Sequence, residues 1–87
     1  MAPRGRGLRK SLHSPEHRSL CELLAQARDK AGLTQSRLAR RLEKPQSFVA
    51  KYEGGERRLD VLELLQILAA IGTDPMRFMK ALIRRIA

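Results

Sequence analysis

Residues 33–65, LTQSRLARRLEKPQSFVAKYEGGERRLDVLELL, decide the fold. Thr34 is placed to cap a helix whose inward face is Leu38, Ala39 and Leu42, while Arg37, Arg40 and Arg41 point outward as a solvated face. Glu43-Lys44-Pro45 makes a tight turn. A second short helix, Gln46 to Glu53, buries Val49 and Tyr52, and Gly54-Gly55 ends it. Glu56 to Leu59 form a basic loop. Asp60 then caps a further helix, with Glu63 three residues on to complete a capping box. Val61, Leu62, Leu64, Leu65, Ile67, Leu68 and Ile71 make that helix apolar over a wide arc, which predicts the most buried helix of the chain.

Working outward, Ser14-Pro15-Glu16 reads as a helix start: a capping hydroxyl, a proline at the first helical position and an acid at the positive end of the dipole. Leu20, Leu23, Leu24, Ala27 and Ala31 form its apolar stripe, and Gly32 stops it. On the other side Gly72 ends the apolar helix. Asp74-Pro75 opens a last one, with Met76, Met79, Leu82, Ile83 and Ile86 on one side. Residues 1–13 carry Arg4, Arg6, Arg9 and Lys10 among Gly and Pro, with little to bury, and are expected to form a disordered basic arm. The domain proper is expected to run from 14 to 87.

Composition narrows the function. The chain has 87 residues, 43% of them apolar, enough for one small core. Leu, Ala, Arg, Lys and Glu dominate and β-branched residues are few, which predicts an all-α fold. Lys and Arg number 18 against 9 Asp and Glu, an excess that attracts polyanions such as nucleic acid. No apolar run approaches the roughly 20 residues that span a bilayer. The N-terminus has no apolar signal core, so a cytoplasmic location is expected, in the nucleoid of a bacterium or a phage host. The single cysteine, Cys21, forms no internal disulfide. His13, His17 and Cys21 stand four apart, but Pro15 leaves His13 outside the helix and no fourth ligand is evident, so no metal site and no cofactor are expected. No nucleophile has an activating base and no glycine-rich phosphate loop follows a strand; the chain reads as a non-enzyme.

Two short helices joined at residues 43–45 meet the demands of a helix-turn-helix. Ala39 lets the helices approach, Leu38, Leu42 and Val49 supply a shared inside, and the second helix opens with side chains able to reach base edges. Gln46 and Ser47 sit there, with Lys51 one turn on. Glutamine can bond adenine with both ends of its amide, and lysine reaches guanine or phosphate.

Here the chain resembles the Cro and phage-repressor type of helix-turn-helix proteins, the XRE family. The matching residues are Arg28, Gly32 to Gln35, Leu38-Ala39, Leu42, Gln46-Ser47, Val49, Lys51, Glu53, Gly55 and Leu62 through Leu68. The resemblance implies a compact five-helix, lambda-repressor-like DNA-binding domain. It also implies a recognition helix over 46–53 in the major groove, and a two-fold dimer on a palindromic operator. Carried over by position, Gln35 opens the second helix where the family contacts a phosphate, and sometimes a base. Gln46, Ser47 and Lys51 fall on base-reading positions. Phe48 either presses on a thymine methyl or packs. Lys44, Arg57 and Arg58 complete the DNA-contacting set. Arg28 and Glu53 fall where the family has an internal ion pair that positions the recognition helix without touching DNA. The last helix either packs wholly within its own domain or pairs its Met76, Met79, Ile83 and Ile86 edge with a second copy, and the dimer interface is the expected use.

Two departures stand out. Members usually carry glycine at the turn, where this chain has Glu43; positive φ at a non-glycine residue costs about 1 kcal/mol. Pro45 stands where Ser or Thr often caps the recognition helix, so that cap is lost. The expected function is a sequence-specific regulator of transcription, a repressor, binding double-stranded DNA as a homodimer. Two alternatives remain open: an antitoxin-type module that also binds a toxin-like partner, and a sequence-blind polyanion binder driven by the arm.

Overall fold

The computed structural model describes residues 14–87; the expectations for the basic arm and for His13 lie outside them. Five helices follow in order: α1 Pro15–Lys30, α2 Gln35–Leu42, α3 Gln46–Glu53, α4 Val61–Ile71 and α5 Pro75–Ile86. The described residues contain no strand, and no helix among them is long and apolar enough to cross a membrane.

The helix ends are fixed by local chemistry. The Ser14 side chain accepts from the His17 N–H, that of Thr34 from Arg37 N–H, and that of Asp74 from Met76 N–H. Asp60 and Glu63 form a full capping box, Glu63 N–H to Asp60 Oδ1 at 2.7 Å and Asp60 N–H to Glu63 Oε1 at 3.0 Å. Helices α1, α3 and α4 stop at glycines with positive φ, Gly32, Gly55 and Gly72. At each the next N–H reaches back to a carbonyl five residues earlier: Leu33 to Arg28, Glu56 to Lys51, Thr73 to Leu68.

The core joins all five helices. Leu24 from α1, Leu38 and Ala39 from α2, Val49 and Tyr52 from α3, Ile67, Leu68 and Ile71 from α4, and Phe78 from α5 are buried together with Leu33. Each fully buried aliphatic side chain contributes about 1.5–3 kcal/mol. Ala39 is buried where α2 meets α3, as the close approach of the two helices demands.

Three expectations need correction. The α4 helix is not the most buried: Val61, Leu62 and Leu65 are exposed, at 70%, 71% and 42%. Its apolar arc is wider than the core it covers: α2 and α5 pack on it, and its buried residues are Ile67, Leu68 and Ile71. On α5 the core face is Phe78 with half-buried Met79 and Leu82, while Met76, Ile83 and Ile86 are exposed. Met79 therefore packs inward rather than at the free edge. On α1 the buried residues include His17 and Cys21, in contact at 3.6 Å, whereas Ala31 is exposed at the helix end. Burial pushes the Cys21 thiol above its ordinary pKa.

Candidate nucleic-acid interface

The turn between α2 and α3 is held by Glu43, the non-glycine residue with positive φ among the described residues, at φ 57° and ψ 42°. Its left-handed backbone lets Lys44 N–H return to Ala39 O at 3.0 Å and reverses the chain within a few residues. Pro45 follows as the N-cap of α3 and supplies no side-chain cap; its carbonyl accepts from Phe48 N–H. The open first turn of α3 thus carries Gln46 and Ser47 outward. Both are exposed, as is Lys51 one turn on, while Val49 and Tyr52 anchor the opposite side.

Behind this surface lies an ion pair. Arg28 Nε donates to Glu53 Oε2 at 2.7 Å and Arg28 Nη2 to Glu53 Oε1 at 3.0 Å, across 25 residues. Arg28 Nη1 also donates to Leu33 O at 2.8 Å. One guanidinium therefore joins the end of α1, the start of the helix-turn-helix and the end of α3. The pairing raises the Arg28 pKa further, chiefly through the hydrogen bond to Glu53. Side-chain exposures of 13% and 7% keep the pair largely out of water.

The sequence places Gln35 and Gln46 at the first positions of their helices, and the fold brings them together. Gln46 Nε2 donates to Gln35 Oε1 at 3.0 Å, and Gln35 Nε2 donates to Glu53 Oε1 at 2.9 Å. Gln35 is thus half-buried and engaged on both sides rather than free in solvent. Sequence spacing could not reveal this chain, because it depends on the meeting of helix starts that are 11 residues apart.

A second cluster forms around Phe48. The ring meets Tyr52 edge-on, centroids 5.5 Å apart, and carries Arg57 at 4.8 Å and Lys44 at 5.5 Å. Phe48 is half-buried, so it packs, and it gathers Lys44 and Arg57 beside the exposed opening turn of α3. Arg57 is further gripped by Glu63, Nη2 to Oε2 at 2.9 Å and Nη1 to Oε1 at 3.1 Å. Glu63, read in the sequence only as a cap, therefore also orients Arg57. Arg58 is exposed and Arg57 Nη1 donates to its carbonyl. Arg37, Arg40 and Arg41 face outward as read, but Arg41 Nη1 donates to Ala70 O at 2.8 Å and ties α2 to the end of α4.

The helix-turn-helix family profile matches residues 24–78. The chain belongs to the XRE-type helix-turn-helix family of DNA-binding regulators. It is similar to an XRE-family like protein from Pseudomonas syringae pv. tomato str. DC3000, with 45% identity and TM-score 0.79 over 90% of this chain and 95% of that one. It shares its fold with the wild-type restriction-modification controller protein C.Esp1396I, at 22% identity and TM-score 0.79 over 85% of this chain and 97% of that one. It shares it also with the C.Esp1396I tetramer in complex with its natural 35 base-pair operator, at 22% identity and TM-score 0.78, with the same coverage. Among curated proteins none matches. As an XRE-type domain, the chain exposes Gln46 and Ser47 on the opening turn of α3.

Proposed function

We propose that this protein is a sequence-specific repressor of transcription that binds duplex DNA as a homodimer. One observation carries the reading: Gln46 and Ser47 are exposed on the first turn of a helix whose other side is fixed in the core and whose end is locked by the Arg28–Glu53 pair. Such a turn fits a major groove, where glutamine, serine and lysine discriminate bases. Lys44, Arg57 and Arg58, with Gln35 behind Gln46, supply phosphate contacts that set affinity and register. Phe48 supports them by holding Lys44 and Arg57 over its ring.

The exposed apolar side chains serve the dimer. Met76, Ile83 and Ile86 of α5, together with Val61, Leu62 and Leu65 of α4, are apolar surface that a second copy would cover. The operator-bound tetramer of C.Esp1396I supports assembly on DNA. The reading carries with it a location in the bacterial cytoplasm, at the nucleoid. The similar structures lend no support to a toxin-like partner.

Selection of bound sites from random duplexes at physiological salt tests the proposal. A palindromic consensus is the expected result, with preference at one base pair lost in Gln46→Ala. Equal affinity for random DNA and RNA would replace it with the sequence-blind polyanion reading.

A further inference from the structure

We propose that Glu53 is a specificity-determining positioning residue: through Gln35 it fixes which end of the Gln46 amide faces the duplex, and so selects adenine over guanine. The inference rests on Gln46 as a base contact. Its physical basis is the direction of the hydrogen-bond chain. A carboxylate only accepts. Glu53 Oε1 takes one N–H from Arg28 at 3.0 Å and one from Gln35 at 2.9 Å. The Gln35 nitrogen is thereby committed to Glu53, which leaves its oxygen toward α3. That oxygen accepts from Gln46 Nε2 at 3.0 Å. Gln46 is left with its oxygen and one N–H to offer outward.

An acceptor beside a donor is the complement of adenine, whose major-groove edge offers N7 and the N6 amino group. If the chain ran the other way, Gln35 would donate to the Gln46 oxygen. Gln46 would then offer two N–H groups outward, the complement of the paired N7 and O6 acceptors of guanine. The two states place the same atoms in the same positions and differ only in which amide end is which. Shape does not choose between them, and the charge of Glu53 does. Arg28 holds that carboxylate in place from behind, with Glu53 at 7% side-chain exposure, so the choice is made inside the domain, out of reach of the bases.

The test is duplex selection with the full chain and its variants. Gln46→Ala identifies the base pair that Gln46 reads. Gln35→Met cuts the chain and leaves both Glu53 oxygens on Arg28. Glu53→Gln turns the acceptor into a group that can donate, so the chain can reverse. Both are expected to lower the preference for adenine over guanine at that base pair by about tenfold, with preferences elsewhere unchanged. A merely structural role for Glu53, or the loss of a phosphate contact at Gln35, lowers affinity on all duplexes alike and moves no preference. The proposal is overturned if wild type favours guanine at that position, or if Gln35→Met keeps the adenine preference. The second variant decides even where Glu53→Gln fails to fold. If Gln46→Ala alters no position, the reading of Gln46 fails and the relay with it, an outcome distinct from a Gln46 effect that ignores Gln35.

Discussion

Glu53 grips the guanidinium of Arg28 with both carboxylate oxygens, 2.7 Å from Nε and 3.0 Å from Nη2, where α3 ends against α1. The pair is nearly dry and its geometry is complete, so removing one partner leaves a charge without compensation. Glu53→Ala and Arg28→Ala are each expected to cost about 3 kcal/mol in urea unfolding. The double substitution Arg28→Met with Glu53→Leu is expected to cost less than the two single losses added together, because no buried charge remains. Full additivity would show that the two side chains do not act as a unit.

Glu43 bears the left-handed conformation that glycine takes at the ends of α1, α3 and α4. Glu43→Gly is expected to raise stability by only about 0.3 kcal/mol, since the relief of roughly 1 kcal/mol of left-handed strain is largely offset by the freedom that glycine adds to the unfolded chain. It also removes a negative charge beside the reading surface. Affinity for duplex DNA should rise at low salt and converge with wild type as salt increases. Thermal melts and salt-titrated binding check both parts.

The Tyr52 hydroxyl is buried and has no hydrogen-bond partner among the described residues. Burial first, then the nearby Glu53 charge, pushes its pKa well above the ordinary phenol value. The sign follows from linkage. With the folded-state pKa raised, the folded state is at full advantage below the unfolded value of about 10, and that advantage is lost as pH rises through the folded one. Tyr52→Phe is therefore expected to raise stability at pH 7 by about 1 kcal/mol and to soften the decline above about pH 10. A loss of stability in Tyr52→Phe at neutral pH would mean that the hydroxyl is satisfied in solution.

Glu63 is held below the ordinary carboxylate range, first by the Arg57 hydrogen bonds and then by the Asp60 N–H. A depressed folded-state pKa adds stability above the unfolded value, about 4.3, and that stability disappears as pH falls through the folded one. The Tm of wild type should drop below about pH 4, and Arg57→Ala should show a shallower acid decline. Arg57→Ala should also weaken binding on every duplex and flatten its salt dependence, because phosphate contacts carry no sequence information. Parallel Tm and binding titrations read the two effects separately.

Most of the architecture was legible because helix ends are local. Ser14, Thr34, Asp60 and Asp74 cap the helices they precede, and Gly32, Gly55 and Gly72 close the ones they follow. The Arg28–Glu53 pair was legible only through family resemblance, as no spacing rule joins residues so far apart. The burial of α4 and α5 was not legible in detail. A helix apolar nearly all round does not say which side meets the core, so Leu62 and Leu65 looked equivalent to Leu68, and Phe78 was overlooked beside Met76. The amide chain from Gln46 to Glu53 and the grip of Glu63 on Arg57 required atoms from separate elements to converge, and periodicity has no access to amide orientation.

The bond from Arg41 to the carbonyl of Ala70 fastens the outer edge of α2 to the last turn of α4, the helix that carries part of the exposed apolar surface. If the proposed dimer joins through α4, the proposed reading heads would be tied to the joint between copies, and the molecule would measure distance. One base pair inserted between half-sites moves the far site by about 3.4 Å and turns it by about 34°. A rigid mount cannot follow, so the protein would act as a gauge of operator length, and Arg41→Ala would loosen its tolerance.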